Sequence, residues 1–313
     1  MLNLIISPLA KLLKPRFYEI LPSASNVLTL DSMYTNPKCT LLTIEILEGD
    51  LDVTLAKKKY GSLVPQTRCF ITQWAGYTFW QKDENFDVDN HVSCYAPQQN
   101  GATPIDEQKL HEIKSKFFVK PYLRNRSPWE VLIVKNFQFD TENRNEESKF
   151  YTAVLIRFHH ALVDGFSAIK QFEKPMLTDA AGEWKKPFIW PHSQGKYPEM
   201  WQTVWNWVKL IFCGPVELVI DQLKFNEEHE WSINRIGYTR EYVISRPVSI
   251  KMEYLKQLKD SLNVSFTAIV LAAFAGAIRK AMVDRNVRLP KYIKIFSPLA
   301  LPGHPDDQCT NHM

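Results

Sequence analysis

"FYTAVLIRFHHALVDGFSAIKQF" (residues 150–172) decides how this chain folds. Its first half is an apolar, β-branched and aromatic run broken by Thr152 and Arg157, which reads as a strand. Two adjacent histidines, His159 and His160, close that run. Asp164-Gly165 then forms a turn, and "GFSAIKQF" starts a helix. The histidines therefore sit at a strand's end, where a rigid sheet positions reactive side chains at its edge.

Working outward, "WEVLIVKNFQF" (residues 129–139) reads as the preceding strand, and the polar "DTENRNEESK" (140–149) as a solvated loop. Together they predict an antiparallel hairpin. Upstream, "CTLLTIEIL" (39–47) alternates as a strand, and "DVTLAKKKYGSLV" (52–64) as a helix with Asp52 as N-cap. "ITQWAGYTFWQK" (71–82) reads as strand, turn at Gly76, strand. "DEQKLHEIKSKFF" (106–118) places Leu110, Ile113 and Phe117 on one helix face, and Pro121 ends it. Downstream, residues 183–234 are rich in Pro and Trp and read as a connection. A strand (240–250), a helix (251–262), a small-residue helix "SFTAIVLAAFAGAIRKAMV" (265–283) and a strand (292–301) follow. Small residues allow close approach of a neighbour, so that helix is expected to be buried.

The order of elements predicts an α+β fold with a mixed, largely antiparallel sheet and flanking helices. The expected organisation is an apolar then basic segment (1–27), a first half carrying the histidines (28–182), the connector (183–234) and a second half (235–313) with too few elements to match the first.

With 313 residues, 45% hydrophobic and 23% charged, the chain has the composition of a folded globular protein. A net charge of +4, with no basic cluster interleaved with aromatics, argues against a nucleic-acid partner. Cys39, Cys69, Cys94, Cys213 and Cys309 stand far apart, an odd number without a C-x-x-C pair. Neither zinc nor a full disulfide framework is expected, and a reducing compartment is. The glycosylation-like triplets at Asn125 and Asn263 read as chance matches.

Membrane contact has two candidates. "MLNLIISPLAKLLKPR" (1–16) is apolar but broken by Pro8 and Lys11, so it is too short to span and reads as an interfacial anchor or the stub of a longer N-terminus. "MWQTVWNWVKLIFCGPVELVIDQL" (200–223) sets Trp201, Trp205 and Val208 at helical spacing, with Trp207 near them, and is interrupted by Lys209, Pro215 and Glu217. It reads either as a helix lying on a membrane or as a connecting helix packed on protein.

Successive strand residues face opposite sides. A regular strand therefore cannot turn both His159 and His160 into one cavity, and His160 shares a face with Val154, Ile156 and Phe158. The same geometry, with no third histidine near, disfavours a metal site. One glycine is too few for a phosphate loop. An imidazole, with an ordinary pKa of about 6.5, is mostly unprotonated at pH 7 and suits a general base. Asp164 would orient a histidine or hold the turn, and Gly165 would let the backbone turn sharply. No G-x-S-x-G nucleophile motif is present, which favours direct acyl transfer over an acyl-enzyme.

"HHALVDG" (159–165) matches the HHxxxDG motif of CoA-dependent and condensation-type acyltransferases. "SPWE" (127–130) resembles the Pro-Leu-Trp-Glu motif of the wax ester synthase/diacylglycerol acyltransferase family, without its leucine. "FDVDNHV" (86–92), "LAAFAGAIR" (271–279) and "SPLALPGHPDDQCTNHM" (297–313) are similar to further segments of that family, in the same order. The resemblance implies a chloramphenicol-acetyltransferase-like fold and transfer of a long-chain acyl group from acyl-CoA to a fatty alcohol or diacylglycerol, with no cofactor. It implies His160 as general base, His159 shaping the site, a structural Asp164 followed by Gly165, and Pro128 and Trp129 lining or supporting the acyl channel. It further implies membrane association on a cytosolic face, at the endoplasmic reticulum or plasma membrane. Thr267-Ala268 replace the family's Asn-Asp pair, and the chain stops where members continue. An inactive paralogue or fragment that binds acyl-CoA or lipid is therefore the alternative reading, and self-association would be one way to complete the channel. A condensation-type enzyme with a carrier-protein donor is the third reading.

Overall fold

A computed structural model describes residues 2–96, 104–139, 150–173, 200–224, 250–291, 293 and 309–311. The chain forms two compact units. The first comprises Met1–Ile189, Arg240–Ile244 and Pro298–Met313, and the second Trp190–Thr239 and Ser245–Ser297. Residues 309–311, grouped with the second half on sequence order, thus pack within the first unit. The polar loop at 140–149 and the strands expected at 240–250 and 292–301 lie outside the described residues, apart from Ile250 and Ile293.

The first unit holds two sheets. A three-stranded antiparallel sheet has the order β1 (Phe17–Ile20), β4 (Tyr77–Lys82), β3 (Cys69–Trp74). Ala75 and Gly76, both at positive φ (49° and 77°), make the tight β3–β4 turn expected there. Helix α1 (Leu2–Leu13) contributes Ala10 to a small cluster with Phe17 and Phe79 of this sheet.

The second sheet is mixed, in the order β2 (Thr40–Glu48), β7 (Tyr151–His159), β6 (Trp129–Phe137), β5 (Val92–Cys94). β2–β7 and β6–β7 are antiparallel, and β5–β6 is parallel. β7 is central and buried on both faces, which is why its sequence is apolar almost throughout rather than alternating. One face, Ala153 and Leu155, packs in a cluster with Leu110, Ile113 and Phe117 of α4 (Glu107–Val119). The other, Val154, Ile156 and Phe158, packs with Trp129, Val131 and Ile133 of β6 and with Ala56 and Tyr60 of α3 (Val53–Gly61). Asp52 and Asp106 cap α3 and α4, accepting from Thr54 N (2.8 Å) and Lys109 N (2.6 Å). Each such cap stabilises by about 1 kcal/mol.

In the second unit, helices Met200–Phe212 and Gly214–Lys224 leave Trp201, Trp205, Trp207, Phe212 and Val216 exposed. The small-residue helix, Phe266–Asp284, departs from expectation. Val270, Leu271 and Phe274 are exposed, because small side chains permit a close neighbour without supplying one. At 19 residues it is, by length and composition, long and apolar enough to cross a membrane.

Candidate active site

The last rungs of the mixed sheet fix the two histidines. His159 N–H donates to Pro128 O (2.9 Å) on one side, and His160 N–H donates to Cys39 O (2.7 Å) on the other. The backbone is thus held by both neighbours where the side chains diverge.

His159 is fully buried. Its Nδ1 accepts from Ala161 N–H (3.2 Å), so the ring proton sits on Nε2 and is donated to Asp31 Oδ1 (3.0 Å). Tyr122 packs edge-on against the ring at 5.8 Å. Asp31 Oδ2 accepts from Lys38 N–H (2.7 Å) and Cys39 N–H (2.9 Å). Burial pushes the Asp31 carboxyl up, but the hydrogen bonds from His159, Cys39 and Lys38 together outweigh it and hold it below the usual value. His159 is therefore a brace between the strand end and the segment that carries Asp31.

His160 is half-buried, and its Nδ1 lies 3.0 Å from Asn311 Oδ1. Among the described residues no group hydrogen-bonds its Nε2. Asn311 Nδ2 donates to His160 O (2.7 Å), Ala161 O (3.4 Å) and Ser25 Oγ (2.9 Å). The next turn is tied to the same segment: Asp164 N–H donates to Thr310 O (3.0 Å), and Ser167 Oγ donates to Thr310 O (3.1 Å).

Asp164 is buried and caps the short helix α5 (Gly165–Ala168), accepting from Ser167 N–H at 2.8 Å. Gly165 differs from its sequence reading. It has no positive φ, and a Cβ built there meets nothing within 4 Å. Neither the backbone nor the packing requires glycine, so the sharp turn is made by the capping bond of Asp164.

Pro128 is buried and offers its carbonyl to His159. Trp129 has no exposed surface. Its Nε1–H donates to Thr67 O (2.7 Å), and the indole stacks on His91 at 4.5 Å and meets Phe172 edge-on at 5.6 Å. It supports the wall behind α5. Glu130, next in the motif, pairs with the fully buried Arg157 opposite it.

Asp31, Ser25 and Asn311 were not among the residues singled out on sequence. Asp31 lies in a polar, turn-like stretch of no distinctive spacing, and Asn311 within a segment readable only through its resemblance. Among the described residues no group of three or more His, Cys, Asp or Glu could hold a metal ion. All five cysteines are free, and burial pushes the Cys69 thiol up to about 12.

A mixed, largely antiparallel sheet with flanking helices, its central strand ending at His159, is the α+β arrangement of a chloramphenicol-acetyltransferase-like fold. The solved wax ester synthase/diacylglycerol acyltransferase of Marinobacter aquaeolei is similar in fold, with a TM-score of 0.53 over 87% of this chain and 62% of that one at 19% identity. Residues 66–211 match the model of the wax ester synthase/diacylglycerol acyltransferase catalytic domain. A probable diacylglycerol O-acyltransferase of Mycobacterium tuberculosis, tgs2, is 23% identical over 246 residues, 72% of this chain and 50% of the relative. The O-acyltransferase WSD of Acinetobacter baylyi is 22% identical over 251 residues, 73% of this chain and 51% of the relative. The chain is thus similar to the wax ester synthase/diacylglycerol acyltransferase family over that catalytic-domain region, and it spans about half the length of these curated relatives.

Proposed function

We propose that the chain is an O-acyltransferase that moves a long-chain acyl group from acyl-CoA to a fatty alcohol or diacylglycerol. The observation that carries this reading is His160: a half-buried imidazole at the end of β7, bonded through Nδ1 and unengaged at Nε2 among the described residues, in the family's motif. In the reaction, Nε2 takes the proton of the acceptor hydroxyl as its oxygen attacks the thioester carbonyl. The tetrahedral adduct then expels the CoA thiolate, which takes that proton back, leaving the ester and CoA thiol. A membrane surface is the expected place of work, supported by the exposed aromatic side chains of Met200–Phe212.

A binding-only role toward acyl-CoA or lipid is the second reading, favoured by Thr267-Ala268 in the first turn of Phe266–Asp284, where the family pattern has Asn-Asp. CoA release from palmitoyl-CoA plus hexadecanol or diacylglycerol separates the two. Acceptor-dependent release that His160→Ala abolishes supports transfer. Binding of palmitoyl-CoA without release supports the second reading.

A further inference from the structure

We propose that Asn311 is a positioning residue for His160, fixing the imidazole as the tautomer whose basic nitrogen is Nε2. The proposal rests on the reading of His160 as general base and adds a residue to it.

The Asn311 carboxamide can face only one way. Its Nδ2 meets two backbone carbonyls, His160 O at 2.7 Å and Ala161 O at 3.4 Å, which can only accept. A flipped amide would aim Oδ1 at both of them. Nδ2 is therefore the buried, donating end, and Oδ1 is the atom 3.0 Å from His160 Nδ1. An amide oxygen can only accept as well. His160 Nδ1 must carry the ring proton, and the lone pair of the neutral ring is left on Nε2. Asn311 is buried, and so is Ser25, whose Oγ accepts the second Nδ2 hydrogen at 2.9 Å while Ala161 O shares in the first, so the amide is not free to rotate.

The neighbouring histidine makes the point by contrast. His159 accepts at Nδ1 and donates from Nε2, the opposite tautomer, so its lone pair points into its own backbone. The two adjacent imidazoles thus carry their protons on different nitrogens, each dictated by its partner. Only His160 presents Nε2 as a base. Because the partner is a neutral amide rather than a carboxylate, it orients the ring without adding a charge that would hold an imidazolium in place.

Two measurements test this on the full chain. The first is ¹⁵N NMR of the histidine-labelled protein, with the His160 resonances assigned by their loss in His160→Ala. We expect the neutral ring to be protonated on Nδ1 and unprotonated on Nε2. A His160 protonated on Nε2 overturns the proposal, and this readout needs no Asn311 variant to fold. The second is the pH profile of CoA release. Asn311→Leu should lower kcat by about 10–10²-fold, part of the range a general base supplies, with KM for palmitoyl-CoA little changed. Asn311→Asp keeps an acceptor for His160 Nδ1 but sets its other oxygen against the His160 and Ala161 carbonyls, so it should lower kcat, and the turnover that remains should have its acid limb at higher pH, because a carboxylate favours the charged ring. A purely structural role would not move that limb, and profiles identical to wild type in both variants overturn the proposal. Full activity in His160→Ala would instead sink the general-base reading beneath it, so the two failures are distinguishable.

Discussion

Arg157 and Glu130 face each other across β7 and β6, with Arg157 Nη2 3.1 Å from Glu130 Oε2 and no exposed surface on the arginine side chain. The guanidinium also donates to Phe117 O (3.0 Å), Lys120 O and Pro121 O (3.2 Å), and it lies 4.4 Å from the Tyr122 ring centre. One buried cation thus ties the end of α4 and the following loop to the sheet, and that loop supplies the ring that packs against His159.

Glu130→Ala should therefore destabilise the first unit by about 3–5 kcal/mol, since it strands a buried charge. Arg157→Lys should also be costly, because a lysine cannot reach several carbonyls with a planar fork. Urea denaturation checks both. A loss below about 1 kcal/mol in Glu130→Ala would mean that the carbonyls alone hold Arg157.

Gly165→Ala should be tolerated by the fold. Without positive φ or a contact within 4 Å, it should stabilise by about 0.4–1 kcal/mol through the unfolded chain. A clear fall in the urea midpoint would show that the backbone there does need glycine.

Stability should depend on pH through two groups. Burial pushes His91, stacked on Trp129 and bonded to its carbonyl at 2.8 Å, below the usual histidine value. Below about 6.5 the unfolded chain takes up a proton that the fold resists, so this contribution is full above that pH and falls away as pH drops. Asp31, held below the usual carboxylate value, gives the same sign in a lower window: its contribution is present above 3.8 and lost as pH falls through its folded value. Urea midpoints measured between pH 8 and pH 3 should decline in these two steps, and His91→Phe should remove only the first.

Membrane contact predicts co-sedimentation with anionic vesicles, given the net charge of +4 and the exposed tryptophans of Met200–Phe212. Replacing Trp201, Trp205 and Phe212 by serine should weaken binding at least about tenfold, the equivalent of roughly 1.4 kcal/mol. Unchanged sedimentation would remove this helix from the membrane reading.

The local rules were legible in the sequence. Asp52 caps the helix it precedes, Gly76 lies in the hairpin turn, and the run before His159 is the central strand. Each follows from residues within a few positions of one another. The partners of the histidines were not legible, because a sheet edge gathers them from far along the chain. Asp31 is 128 residues from His159, and Asn311 is 151 from His160. Nothing in "LDSMYTN" or "QCTNH" distinguishes a brace from an ordinary polar turn. The small-residue helix misled for a different reason: composition reports what a helix could pack against, not what the chain brings to it.

The separation between His160 and Asn311 also sets an order of events as the chain is made. At roughly 5–20 residues per second, the ribosome adds the 151 positions between them in roughly 8–30 s. During that interval the strand and its histidines can already be folded, yet the imidazole is free to hold its proton on either nitrogen. If Asn311 has the role proposed above, chemical competence arrives later than shape, and a nascent chain passes through a stage in which it is folded around a site it cannot yet use.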